Sequence, residues 1–428
     1  MLRPSFIFQI AILNLQFLLP VAAFPQNAPP AETFPYRQPP VGYFADELDD
    51  PVSKLRQKLD KGELRLEFEA GTGYLRSLLA ALDIPVSSQM LVFGKNSVNA
   101  RIISPENPRA LYFNDKAYVG FVPGAPFLEI TGVDSRKGAV FYALSQKRGE
   151  PLSEEPAKLP PVTLAREESC LLCHASANSL NVPGHLVRSF VTDIQGNPVR
   201  GYSKINHDTP YANRWGGWYV TGDFDSLPHL GNLSTAADLL EHDRHRDGPG
   251  NRPGRTVNLA KRIDAAKYLA AHSDIVALLV HDHQTHMHNL LTRLYYEQQY
   301  ETPDSSVEHL LRYMLFVDEP ALENPVLGGS AYESWFAKQG PPDRRGRSLR
   351  QFDLEMRLFK YRCSYLIYSP AFDMLPTPAE KTVYRKLWEI LTAADPPPPF
   401  DKLPLAERTA ILEILRDTKP NLPGYWKR

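Results

Sequence analysis

The chain has three cysteines in 428 residues, too few for a zinc site built from two C-x-x-C pairs. It has no basic excess either. Lys and Arg number 48 against 49 Asp and Glu, a formal charge of −1, and nothing in that balance points to nucleic acid or an anionic membrane. Past the first two dozen residues no stretch is apolar for the roughly 20 residues a bilayer span needs. No internal repeat is visible. About 400 residues with 43% hydrophobic side chains can nevertheless bury a large core.

The amino terminus, MLRPSFIFQIAILNLQFLLPVAA, carries one early positive charge at Arg3, a mostly apolar run from Phe6 to Leu19, a breaker at Pro20 and the small residues Ala22 and Ala23. This is the pattern of a secretory signal peptide, residues 1–23, with cleavage after Ala23. Gln9, Asn14 and Gln16 interrupt the apolar run, and no cysteine follows closely enough to take a lipid. The expectation is a mature chain without a membrane span in an oxidising space, the bacterial periplasm.

The 39 prolines cluster in FPQNAPPAETFPYRQPP, in PLSEEPAKLPP and in DPPPPF, which read as extended linkers. Between the first two, GYLRSLLAALDI has leucines at helical spacing, whereas ALYFN, AYVGFV, FLEITGV and AVFYALS are short strand-like runs separated by turn signals. LVRSFVTDIQGNPVRGYSKI reads as a hairpin around Gly196 and Asn197, and RWGGWYVTGDF as a further strand. Helical periods follow in RTVNLAKRIDAAKYLAAH, SDIVALLVHDHQTHMHNLLTRLYYEQQ and AERTAILEILRDT. The expected class is α+β: a proline-rich extended segment at 24–57, an α+β unit with a small antiparallel sheet at 58–150, a middle segment with hairpins at 151–250, and an all-helical unit at 251–428.

Two of the three cysteines stand in EESCLLCHASAN, as Cys170 and Cys173, with His174 directly after. A structural zinc site wants four ligands, and Cys363 lies 190 residues away. A thioredoxin-type pair should follow a strand in a βαβ unit, and this one follows a proline-rich stretch and the polar REES. A disulfide between the two would leave His174 unexplained. C-x-x-C-H is the attachment signature of c-type haem: both thiols bond the porphyrin and the adjacent histidine becomes the proximal iron ligand. Cys363, in the apolar CSYLIY run, reads as a buried inert thiol.

The other face of the iron separates an electron carrier from a catalyst. In residues 274–299, Val276, Val280, Leu290 and Leu294 continue a 4,3,4,3,4 spacing through His283 and Met287. Those two share the apolar stripe and are the candidate sixth ligands, with His283 first. His281, His286 and His288 fall to the sides of the stripe, where partial exposure is expected. His207 and His229 in loops are the alternatives, while His242 and His245 sit in a polar stretch. Arg214 suits the propionate carboxylates, and Trp215 and Trp218 suit the porphyrin face.

The runs PRALYFND, YVGFVPG, CLLCH, NVPGHLVRS, RWGGWYVTG, HQTHMHN and CSYLIYS resemble those of a family of exported bacterial cytochrome c domain proteins, over about Leu75 to Trp426. The resemblance implies a single haem at Cys170, Cys173 and His174, and draws attention to His229, His283, Met287 and His288. Where the family pattern has H-M-G-N, this chain has His229, Leu230, Gly231 and Asn232. Leucine cannot ligate iron, so a methionine ligand there is excluded. The resulting expectation is a periplasmic electron-transfer protein with one covalent haem and a redox partner protein. The alternative is a haem enzyme with an open distal site, acting on peroxide or a small nitrogen oxide.

Overall fold

The computed structural model describes residues 34–45, 47–147, 163–224, 227–245, 256–302 and 306–427. The signal peptide, its cleavage point and the PLSEEPAKLPP stretch lie outside these residues. The described part of the expected extended segment folds instead. Phe34, Tyr36 and Tyr43 are buried, and Asp50 caps helix α1 (Pro51–Asp60) by accepting from Val52 N and Ser53 N at 2.9 and 3.0 Å. A proline at the first helical position fits because its missing N–H would have had no partner there. Helix α2 (Leu75–Ala81) follows, burying Leu75, Leu78 and Leu79.

Six strands form an antiparallel meander in the order of the chain: β1 (Met90–Val92), β2 (Arg109–Phe113), β3 (Ala117–Phe121), β4 (Phe127–Asp134), β5 (Gly138–Ser145) and β6 (Leu164–Arg166). Period-2 alternation gives the sheet two different faces. Along β4, Leu128 and Ile130 are buried against α1 and α2, while Phe127, Glu129, Thr131 and Val133 are only half-buried. The register lines up Phe113, Tyr118, Thr131 and Phe141 as one cross-strand row on that second face. The next row holds Leu111, Gly120, Glu129 and Ala143.

Helix α3 (Leu171–His174) carries the C-x-x-C-H motif, and the expected hairpin forms as β7 (Arg188–Thr192) with β8 (Pro198–Lys204). RWGGWYVTGDF is not the expected strand. Trp215 and Gly217 take φ of +62° and +83°, a left-handed backbone that breaks any extended run, and the segment makes only isolated bridges to Val92, Asp274 and Leu327.

Helices then dominate: α4 (Ala236–His245), α5 (Ile275–Gln299), α6 (Ser306–Met314), α7 (Tyr332–Ala337), α8 (Pro370–Asp373), α9 (Thr377–Thr392) and α10 (Leu405–Thr418). The helix expected in RTVNLAKRIDAAKYLAAH is absent. Asn258 and Asp264 each turn a side chain back onto the backbone two residues on, accepting from Ala260 N and Ala266 N. Those local bonds replace a continuous helix with single turns at Leu259–Lys261 and Ala265–Lys267.

Asp274 caps α5, and this helix is buried on every side. His281, His286 and His288, expected at partly exposed flanks, are enclosed like the rest. The amphipathic stripe misled because the sheet packs on one side of α5 and α6 to α9 on another. Thr33–Arg428 form one compact unit, and no helix among the described residues is long and apolar enough to cross a membrane.

Candidate functional site

Helical backbone at α3 puts Cys170, Cys173 and His174 at i, i+3 and i+4, hence on one side of a single turn. All three cysteines are free thiols; Cys173 is exposed and Cys170 half-buried. Leu172 between them is 85% exposed. Burial, reinforced by the Glu167 carboxylate, pushes the Cys170 thiol up to about 12.

The His174 ring rests on Phe141, centroids 4.8 Å apart, and its Nδ1 donates to Gly184 O at 2.9 Å. A carbonyl can only accept, so the proton sits on Nδ1 and the Nε2 lone pair is free. Part of the ring reaches solvent, yet its surroundings are dense, and burial pulls its pKa down to about 4. The hydrogen bond to Gly184 opposes this, and the charges of Arg188 and Arg109 add to it. At neutral pH the side chain is therefore an uncharged imidazole with its Nε2 lone pair unprotonated, the form a metal ligand needs.

The acceptor is itself fixed from several directions. Gly184 N donates to His174 O at 2.8 Å and Ala139 N of β5 donates to Pro183 O at 3.0 Å. Asn289 on α5 clamps the next residue, accepting from His185 N and donating to His185 O, both at 2.7 Å. Arg293, one turn further along α5, donates to Leu180 O at 3.2 Å. A side chain at Gly184 would run into Asn289 Oδ1, so glycine is what lets loop and helix close up.

This loop lies over the second face of the sheet. His185 packs on Tyr118 at 4.4 Å between centroids and faces His288 at 5.7 Å. His281 packs on Phe113 at 5.4 Å, on Tyr118 at 5.8 Å and on Trp218 at 6.0 Å. His185 Nε2, His281 Nδ1 and both ring nitrogens of His288 are buried without a hydrogen-bond partner, although the Asp115 backbone approaches His288. Arg109 pairs with Glu129 at 2.7 Å on the same face, and its Nε is buried and unpartnered. Among the described residues, no group of three or more His, Cys, Asp or Glu is arranged to hold a metal ion by itself.

The other candidates lie elsewhere, His283 and Met287 on α5 and the rest in the segments before it. His283 has both nitrogens engaged, Nδ1 with His207 Nδ1 at 2.7 Å and Nε2 with Ser364 Oγ at 2.8 Å, and it stacks on Phe316 and Tyr313. His207 Nε2 in turn lies 2.8 Å from Asp208 Oδ1. Met287 is fully buried in the helical core. Arg214 is buried and committed to Thr209 O, His207 O and, at 3.5 Å, Asp282 Oδ2. Trp215 donates to the same carboxylate at 3.0 Å. Burial raises Asp282 to about 7 despite these partners.

His229 accepts from Gly231 N at 2.9 Å and packs on Trp215 and Phe224. Trp218 packs on His281 and donates to Arg188 O of β7 at 2.9 Å, and His288 faces His185, so these two of the sequence candidates lie toward the sheet side of α5. Cys363 is fully buried, its thiol pushed up to about 12. Sequence reasoning missed His185 and Arg109. The Pro-Gly-His order of NVPGH was the available signal for the former; nothing local marks the latter.

Comparison with protein-family models, with curated proteins and with solved structures finds no match to the chain.

Proposed function

We propose that the protein is an exported c-type cytochrome, with one haem bonded to Cys170 and Cys173, His174 as its proximal ligand, and electron transfer to a partner protein as its role. The observation that carries this reading is the His174 Nδ1 to Gly184 O bond beside two free thiols one helical turn apart. A bare structural turn needs neither the thiols nor a neutral, oriented imidazole. Bound there, the group would supply an iron that carries one electron.

The chain's own residues account for the rest. Gly184, held by β5 and by Asn289, fixes the tautomer and angle of His174, and such outer partners tune a ligand's basicity. Arg109 pairs with Glu129 through Nη1 but keeps an unpartnered Nε on the same sheet face, which suits a propionate carboxylate; Arg214 has all three nitrogens engaged elsewhere. Exposed Leu172 and Cys173 keep one edge of the site near solvent, where a partner exchanges electrons. The unpartnered histidines near Tyr118 favour a second reading, a haem enzyme with an open distal site.

Acid-acetone extraction of the purified protein tests the proposal. The colour should stay with the polypeptide and vanish in the Cys170→Ser, Cys173→Ser double variant. Extractable colour, or colour surviving in the double variant, would refute it.

A further inference from the structure

We infer that Asp208, His207, His283 and Ser364 form a proton relay, in which a proton taken up by Asp208 at the surface reverses every hydrogen bond as far as Ser364 in the core without charging either histidine. The inference goes beyond the haem reading and does not depend on it.

The four side chains follow one another in a line. His207 Nε2 lies 2.8 Å from Asp208 Oδ1, His207 Nδ1 lies 2.7 Å from His283 Nδ1, and His283 Nε2 lies 2.8 Å from Ser364 Oγ. The first contact falls short of hydrogen-bond alignment, and neither of its atoms has another partner. Tyr313 and Phe316 stack on both imidazoles, centroids 3.8 to 5.4 Å apart, and hold the two rings within 18° of one plane. The Asp208 side chain is 28% exposed and that of His207 only 2%, while His283 and Ser364 are fully buried. Protons therefore enter at Asp208.

Counting hydrogens fixes the order. Two N–H groups cannot face each other at this distance, and two lone pairs would repel, so a single proton sits between the two Nδ1 atoms. Burial keeps both imidazoles uncharged, so each ring carries one N–H. An ionised carboxylate only accepts. With Asp208 ionised, His207 donates to it from Nε2 and accepts at Nδ1 from His283, whose Nε2 accepts from the Ser364 hydroxyl. With a proton on Asp208 Oδ1 the order reverses. Asp208 donates to His207 Nε2, His207 Nδ1 donates to His283 Nδ1, and His283 Nε2 donates to Ser364 Oγ. The count closes: His207, His283 and Ser364 each keep one hydrogen, Ser364 turns its own off the ring, and the only addition is the proton that Asp208 took up. No charge enters the core, where it would be costly.

The charges at the entry favour the reversal. Burial raises Asp208 to about 6 against the pull of His309, Arg214 and Arg312, and Arg214 also donates to His207 O at 2.6 Å. Once the carboxylate is discharged those cations remain, and they favour lone pairs over N–H groups pointing toward them. Arg312 is partly balanced by Asp318 at 2.8 Å. Lys204 of β8 and His309 of α6 act on His286, and His288 acts on His283 from further along α5. Asp282 is held by Arg214 and Trp215, and the Tyr313 hydroxyl by the carbonyls of Asp282 and His283, so both face the relay without joining it.

Ser364 gives the far end a consequence. Its Oγ accepts from Leu366 N at 3.3 Å and so opens the turn Tyr365–Tyr368. Tyr365 donates to Gln284 Oε1 at 2.7 Å, and Gln284 Nε2 donates to Tyr118 OH at 2.6 Å. The serine thus stands one residue from a bonded path back to the sheet.

The test is nitrogen NMR of the full-length protein with isotope-labelled histidine, followed from pH 8 down to 5.5. The proton between the two Nδ1 atoms identifies the pair through its coupling to both. It should belong to His283 at the upper end and to His207 at the lower, while the Nε2 proton moves from His207 to His283. Both rings should change together with a midpoint near 6, the value at which Asp208 titrates, and neither should become an imidazolium. In Asp208→Asn the arrangement should be the same at every pH. Tautomers that stay fixed while Asp208 titrates, an imidazolium at His207 or His283 in this range, or an exchange that survives in Asp208→Asn would each overturn the inference. All of these leave the haem reading standing. That reading fails separately, if the wild type holds no covalent haem.

Discussion

Lowering the pH from 7 to 5 should destabilise the protein by about 5 kcal/mol. The source is an unusual set of buried neutral histidines. Burial holds His185, His207, His283 and His286 well below their usual value of 6.5, and lowers His229 to about 3 and His288 to about 4. His174 and His281 are left out because they lie at the candidate haem site and on the sheet face beside it. For a depressed histidine the unfolded chain binds the extra proton, so the stability it lends is present above 6.5 and is lost as the pH falls below that value.

Three carboxyl groups work in the opposite direction. Burial raises Asp282 and Glu319 to about 7 and Asp208 to about 6, so the folded state holds their protons and they favour folding as the pH falls from 7. At pH 5 the six histidines outweigh the three acids by about three protons, a slope of about 4 kcal/mol per pH unit. Against a typical total of about 5–15 kcal/mol, unfolding should set in within about two units of neutrality. Urea denaturation followed by tryptophan fluorescence at pH 8, 7, 6 and 5 reads this directly. Stability that stays flat or rises between pH 7 and 5 would refute the picture of enclosed, uncharged imidazoles.

His283→Ala should cost about 2–4 kcal/mol, because it strands His207 Nδ1 and Ser364 Oγ and leaves a cavity; urea midpoints measure it. Asn289→Ala removes both bonds that clamp His185 to α5 and should cost about 2–3 kcal/mol, with faster amide exchange across residues 174–185 as the local signature. Intact mass of the protein exported to the periplasm should equal the chain from Phe24 plus one haem. A chain still beginning at Met1 would favour a membrane-anchored form.

Much of this architecture is legible locally. The sheet follows from short β-branched and aromatic runs between turn signals, and α5 from its period and the Asp274 cap, because alternation and capping act over a few residues. The C-x-x-C-H spacing likewise fixes two thiols and an imidazole on one turn, whatever surrounds them. Other features depended on non-local contacts. The left-handed Trp215 broke a plausible strand so that Gly217 O could accept from Phe93 N and Gly94 N, whereas the helix expected at 255–272 gave way to purely local Asx bonds at Asn258 and Asp264. The sequence alone determined that two thiols and an imidazole stand within five residues and which helix holds most of the histidines. Only the tertiary structure decided what each face of that helix meets, because an apolar stripe marks one packed side, and α5 is packed on all of them. His283 fell to Ser364 and His207, and His281 to the sheet, through neighbours that lie 76 to 168 positions away in the chain.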